Sequence, residues 1–502
     1  MIDTNLTTLG ELKSNGYVPG KVKDELRKNL IKFLEQGENP FDGIIGFDET
    51  VIPDLQTAIL SRHDIILLGL RGQAKTKIAR LMINLLDEYI PVVEGSELND
   101  DPFNPLSVVA KEIISTDGDN TRIKWIHRSE RYTEKLATPD VSVADLIGDV
   151  DPIKAATLKL PYSDERVIHF GLIPRSHRGI FVINELPDLQ ARIQVALFNI
   201  LQESDIQIRG FKVRLPLDIQ FVFTANPEDY TNRGAIVTPL KDRIDSQILT
   251  HYPKSIEESK KITEQEAKLS DEQIEKIQSN DLIKGLIEQI SFEARESEYV
   301  DKNSGVSARL TISAFENLVS TAERRRIINK EDRATSRISD IYGVIPSITG
   351  KIELVYEGEQ EGPSKVAHIL IGKAIRNKFP EYFPTPDNLK KKEQPSPYQP
   401  IAGWFKKGNT VDLMMNSSQT EYQKILKAVP GLEEVVKNFH KRIDEPTMLL
   451  LMEFLLFGLS EYSLLSRFRI EEGLQFKDML SSMFTLSDDE DFNEDDSSLY
   501  TG

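Results

Sequence analysis

The feature that most restricts how this chain can fold is the octapeptide Gly69-Leu70-Arg71-Gly72-Gln73-Ala74-Lys75-Thr76. It stands between the apolar run Ile65 to Leu68 and a helical stripe of Ile78, Leu81, Met82, Leu85 and Leu86. A short apolar run reads as a strand buried on both faces, and the stripe reads as an amphipathic helix packed on it. Glycines and small residues between them allow a tight turn whose backbone N–H groups curl round an anion at the helix amino end. Lys75 then adds a cation, and Thr76 a hydroxyl suited to a divalent metal. Strand, turn and helix in this order predict a parallel sheet covered by helices.

The same alternation of short apolar runs and helical patterns continues from about residue 39 to 252. Ile180 to Ile183 and Phe221 to Thr224 are the further strand candidates. Each leads into polar residues at its carboxyl end, where open α/β sheets bind ligands. Residues 1–38 read as a helical lead-in with Val22, Leu26, Leu30 and Leu34 on one stripe. IQIRGFKVRL at 206–215 reads as a β-hairpin turning about Arg209-Gly210.

Residues 253–338 are rich in Glu, Lys, Arg and Ile and are expected to form an all-helical domain. An insertion at 339–379 follows, with a strand expected in KIELVYEGE at 351–359. Six prolines and a run of lysines mark 380–402 as a linker. Residues 403–485 are expected to be a small helical domain, in which Met448 to Leu459 is a buried helix. The acidic stretch 486–502 is expected to be a disordered tail.

Composition removes several alternatives. The chain has 502 residues and no cysteine, so disulfides, thiolate catalysis and cysteine-ligated zinc are excluded. A net charge of −18 argues against a general nucleic-acid binder, which needs basic surface to displace phosphate counterions. Arg209, Lys212 and Arg214 on the hairpin read as a solvated face. The seven histidines show no helical pair with ligand spacing, and His169 and His177 read as structural. No apolar run approaches membrane-spanning length, the amino terminus lacks the order of a signal peptide, and a cytoplasmic location is expected.

The strand ends carry the remaining candidates. Gly179 to Ile183 runs into Asn184 and Glu185, an arrangement that sets a metal-associated group and a general base opposite the Gly69 to Thr76 loop. Alternatively, the two residues cap the helix after Pro187. Asn226 follows the Phe221 strand, either to orient an attacking water or as a turn residue. Arg243 lies in PLKDRID at 239–245, placed to enter a neighbouring subunit's site if the chain forms a ring.

Together these residues resemble the AAA+ superfamily, and within it the branch of the magnesium chelatase ATPase subunit and the MoxR-type ATPases, over about residues 39 to 335. Gly69, Leu70, Arg71, Gly72, Gln73, Ala74, Lys75 and Thr76 resemble the Walker A loop, with Ala74 where glycine is usual. Phe41 to Gly46, with Ile44, Ile45 and Gly46, resembles the segment beside adenine. Gly171-Leu172 and His177-Arg178-Gly179 resemble the approach to Walker B, and Asn184-Glu185 its end, with Asn184 where Asp is usual. Asn226 matches sensor 1, Asp242-Arg243 the arginine finger, and Arg309 in Ser307-Ala308-Arg309-Leu310-Thr311 the sensor 2 position, though Arg309 also reads as a solvated helix residue.

The resemblance implies an α/β fold, with an AAA+ P-loop core followed by a helical lid, a small β-containing insertion and a C-terminal helical domain. It also implies ATP and Mg2+ as cofactors, with Thr76 and Asn184 towards the metal, and a homo-oligomer, usually a hexameric ring. Three functions follow as expectations. The first is a MoxR-like motor that remodels or activates a partner, often one with a von Willebrand A domain. The second is the ATPase subunit of a magnesium chelatase, and the third a nucleotide-gated scaffold with little hydrolysis.

Overall fold

The computed structural model describes residues 4–162, 164–203, 205–208, 214–227, 235–391 and 396–479. The chain divides into two compact units, 1–252 and 253–502.

In the first unit, helices α1 (Val22–Gln36) and α2 (Val51–Leu60) precede strand β1 (Ile65–Leu68), which leads through the glycine loop into α3 (Lys75–Leu81). Strands β2 (Tyr132–Leu136) and β3 (Gly179–Asn184) come next, then α4 (Ala191–Glu203), β4 (Ile219–Ala225) and β5 (Ser246–Leu249). The five strands form one sheet in the order β5-β1-β4-β3-β2, and every pairing is parallel. Because β4 and β5 flank β1 on opposite sides, the chain changes direction across β1, and the carboxyl ends beside it open a crevice.

Every residue of β1, β3 and β4 is buried, and alternate side chains feed two cores. On one face Ile65, Leu67, Ile180, Val182 and Val222 meet Val22, Leu26 and Leu30 of α1, Leu55 of α2 and Ile78 of α3. On the other, Ile66, Phe181, Ile183 and Phe223 meet Ile193, Leu197 and Ile200 of α4. The lead-in helix is therefore part of the core. Leu34 alone of its expected stripe lies outside, at 42% exposure.

An ion pair fixes α1 further, with Arg131 Nη1 and Nη2 donating to the two oxygens of Glu25 at 2.7 and 2.6 Å. Two short antiparallel strands, Asp205–Gln207 and Arg214–Pro216, pair where the hairpin is expected. Its turn, with Arg209 and Lys212, lies outside the described residues.

The second unit has a single core running from Ile277 to Phe476. Its main helices are α5 (Ile256–Glu266), α6 (Asp281–Glu296), α7 (Arg309–Ile328), α8 (Pro363–Lys378) and α9 (Glu445–Glu461). Helix α9 is buried from Leu449 to Leu459, which leaves Glu453 inside. Its carboxylate accepts the backbone N–H groups of Ile338 and Ser339 and the hydroxyl of Tyr422, so the buried charge has partners on three sides. No helix among the described residues is long and apolar enough to cross a membrane.

Three expectations for this unit need correction. The strand expected at 351–359 is reduced to one bridge, Leu354 to Val300, and the chain turns helical over Tyr356–Glu361. Gly358 lies so close to the Tyr299 carbonyl that a Cβ would stand 2.3 Å from it, and Gly362, at φ +82°, ends the turn. The expected linker at 380–402 is packed, with Phe383, Tyr398 and Ile401 buried. Its prolines open the short helices Pro386–Lys391 and Gln399–Phe405, since a fixed φ and missing N–H suit a first helical turn. The expected helical domain at 403–485 also holds an antiparallel sheet of β6 (Val411–Met414), β7 (Ser466–Ile470) and β8 (Gly473–Lys477), with β8 central. The acidic stretch 486–502 lies outside the described residues.

Just before β3, His177 is 5% exposed, and its Nδ1 accepts the Asp218 N–H at 3.0 Å. Burial, then the neighbouring Arg178 charge, pushes its pKa down from 6.5 to about 4, so the folded protein holds it neutral. The unfolded chain takes up the extra proton, so this contribution is full above pH 6.5 and is lost as the pH falls towards 4. Urea unfolding should show about 2 kcal/mol less stability at pH 5 than at pH 6.5 from this group. His177→Gln should flatten that slope, and an unchanged slope would remove His177 as its source.

Candidate functional site

The glycine loop is shaped by the strand ends around it. Gly69 N–H donates to the Ala225 carbonyl at 3.2 Å, joining the ends of β1 and β4. A Cβ on Gly69 would stand 2.0 Å from Thr250 Oγ1 and 2.1 Å from Gln73 Oε1, so only glycine fits. Thr250, just after β5, donates to Gln73 Oε1 at 2.8 Å, and the Tyr252 hydroxyl donates to the Arg71 carbonyl at 3.1 Å. Gly72 has φ +75° and Ala74 φ +56°. The left-handed conformation of Ala74 explains why glycine is the usual residue there.

Lys75 opens α3 and turns its ammonium back beneath the loop. It donates to the carbonyls of Gly69 and Leu70, the latter at 2.9 Å, and to Asn226 Oδ1 at 2.8 Å. Two candidates 151 positions apart in sequence are thus in contact.

Thr76, Asn184 and Glu185 form the other half of the cluster. Asn184 is 7% exposed, and its Oδ1 accepts the hydroxyls of Thr76 at 3.4 Å and Thr224 at 3.0 Å. Thr224 Oγ1 in turn accepts the Glu185 N–H at 3.1 Å, fixing the turn after β3. There Glu185 has φ +57° and an exposed side chain. Such a left-handed, non-glycine residue at a strand end costs about 1 kcal/mol and points to a required side-chain direction.

The remaining donor of Asn184, Nδ2, goes to Glu134 Oε1 at 2.7 Å. No sequence motif marked Glu134. It lies on β2 and is held by Arg80, whose Nε reaches Oε2 at 2.8 Å and Nη2 reaches Oε1 at 3.0 Å, with the Tyr132 hydroxyl on Oε2 at 3.1 Å. Burial pushes the Glu134 carboxyl up, but the Arg80 guanidinium and the hydrogen bonds from Tyr132 and Asn184 outweigh it and hold it below the ordinary value.

The other candidates are distributed around this cluster. Ile44 is buried, Ile45 half-buried, and Gly46 has φ +82°. Lys77 of α3 donates to the Gly43 carbonyl at 3.1 Å, so this segment runs beside the helix that carries Lys75 and Thr76. Arg243 bonds Gln202 at 3.0 Å and the Pro239 carbonyl at 2.7 Å and lies 5.3 Å from the Phe198 ring centroid. Arg309 is the exposed first residue of α7, in the second unit.

The donor set suits a magnesium nucleotide: an ammonium, a hydroxyl and an amide oxygen at the ends of three buried parallel strands, beside a loop with two residues at positive φ. The core is an AAA+ P-loop fold. No protein-family model matches the sequence.

Among similar solved structures, a protein provisionally assigned as an ATPase from Cytophaga hutchinsonii is 17% identical, with 72% of this chain and 97% of that chain covered and a TM-score of 0.29. The complex of magnesium chelatase subunits BchI and BchD gives 18% identity, 64% and 98% coverage and a TM-score of 0.33. A RuvB mutant from Thermotoga maritima gives 11%, 80% and 93%, and 0.31. With TM-scores this low, the fold assignment stands on the strand order and the loop after β1.

A left-handed alanine carries about 1 kcal/mol of strain that glycine lacks, partly offset by the greater freedom of glycine when unfolded. Ala74→Gly should therefore raise stability by about 0.5 kcal/mol, whereas Ala74→Val, β-branched at positive φ, should lower it by about 1 kcal/mol or more. Thermal melting of the two variants checks this, and a Val variant as stable as the wild type would contradict the backbone assignment.

Proposed function

We propose that this chain binds ATP with magnesium at the loop site, hydrolyses it, and uses the cycle, as a ring of identical subunits, to remodel or activate a partner protein. The observation that carries the reading is the meeting of Lys75 with Asn226 and of Thr76 with Asn184 at the ends of β1, β3 and β4.

In this reading the Gly69 to Ala74 backbone and the Lys75 ammonium bind the phosphates. Lys75 exchanges its loop carbonyls for phosphate oxygens, and Ile44, Ile45 and Gly46 border the base. Thr76 and Asn184 hold magnesium, which when bound neutralises charge on the β- and γ-phosphates. Glu185 accepts a proton from the attacking water, and Asn226 orients that water. Arg243 from a neighbouring subunit and Arg309 stabilise the charge that develops as the phosphoryl group leaves. Asn184 brings no charge of its own, which favours slow turnover and keeps a nucleotide-gated scaffold as the second reading. A von Willebrand A-domain protein is the proposed partner class for the motor, with the chelatase ATPase role as its alternative.

Lys75→Ala should abolish nucleotide binding. Glu185→Gln should keep binding and lower turnover by about 10²- to 10⁴-fold. No magnesium-dependent turnover in the wild type would eliminate the motor, and full binding by Lys75→Ala would eliminate the site.

If sites are shared between subunits, mixing inactive Glu185→Gln with inactive Arg243→Ala restores turnover, because the Arg243→Ala subunit supplies Glu185 to a site whose neighbour supplies Arg243. A mixture as inactive as its components would remove Arg243 from the shared site.

A further inference from the structure

The Asn184 amide has two chemically different ends, and its surroundings settle which faces which. An ionised carboxylate accepts hydrogen bonds and donates none, whereas a threonine hydroxyl does either. Glu134 therefore takes the NH2 end at 2.7 Å, and the oxygen is left facing Thr76 and Thr224. The reverse orientation would set amide oxygen against carboxylate oxygen. Arg80 makes a two-point pair with Glu134 and favours its charged form.

The same arrangement accounts for an amide at position 184. An aspartate there would press a second carboxylate against Glu134 at hydrogen-bond distance, and two such groups do not both stay ionised. One negative charge is available to this corner of the site, and it resides on β2. Arg80 does not bury it, since its side chain is 64% exposed and the pair is open to solvent screening on that side.

We infer that Glu134 is a positioning residue for the magnesium nucleotide. It aims the Asn184 oxygen at Thr76 and supplies, through that amide, the negative charge that position 184 lacks. This rests on the nucleotide-site reading above. The charge has in effect moved one strand outward, from the end of β3 to β2.

The test is a titration of the full chain with a fluorescent ATP analogue, in excess magnesium and in excess EDTA. The readout is the ratio of the two dissociation constants, which requires no turnover. Glu134→Gln should reduce the magnesium enhancement by about 10-fold while affinity in EDTA stays within about twofold. The charge swap Glu134→Gln with Asn184→Asp should recover most of the enhancement, because it returns one carboxylate to the same corner. Arg80→Gln, which removes the counter-ion and keeps the carboxylate, should leave the enhancement within about twofold of wild type.

An unchanged enhancement in Glu134→Gln, a swap that recovers nothing, or an Arg80→Gln loss as large as that of Glu134→Gln would each overturn the inference. The last of these would mean that Glu134 acts only as an anchor for Arg80, and it can be read even if Glu134→Gln folds poorly. Wild type that binds no analogue in either condition overturns the nucleotide site as a whole. Wild type with magnesium-strengthened binding and an indifferent Glu134→Gln overturns only the role of Glu134.

Discussion

A single amide ties the site together. Asn184 ends β3, accepts from Thr224 on β4 and Thr76 on α3, and donates to Glu134 on β2. Four elements distant in sequence are set relative to one another by one side chain that is nearly out of water. In such surroundings each hydrogen bond polarises the next, and an unpaired group is costly, so the set is held or lost as a unit. Lys75 ties the other side, joining the loop to the end of β4 through Asn226.

This arrangement depends on the sheet beneath it. Parallel strands bring their carboxyl ends to one edge, and the order β5-β1-β4-β3-β2 sets β4 between β1 and β3. The loop thus meets residues from both of those neighbours. Its own path is enforced from the opposite side by Thr250 and Tyr252 after β5, which leave no room for a side chain at Gly69. The second unit has a core of its own, so its buried Glu453 and packed proline segment are independent means of holding structure.

Legibility in the sequence followed burial. β1, β3 and β4 are covered on both faces, so their sequences are unbroken apolar runs with boundaries that stand out. β2 reads YTEKL and β5 reads SQIL; as edge strands with part of their surface exposed, they look like loops. Glu134 was hidden for that reason, since its importance arises from a partner 50 positions away and from no local pattern. The prolines at 380–402 suggested a spacer because composition does not say whether a proline opens a helix or interrupts one. KIELVYEGE alternates like a strand, yet the tight approach of Gly358 to Tyr299 is a tertiary fact.

The outermost strand has a consequence of a different kind. A sheet edge offers unpaired backbone groups to any extended chain that drifts against it, and a flat edge of Val and Ile would invite association. Here the edge carries Glu134 and Lys135, with Arg80 held against the strand by an ion pair. The charged trio that orients the Asn184 amide thus also makes the protein a poor template for unwanted strand addition. Replacing these residues with apolar ones would endanger solubility as well as chemistry.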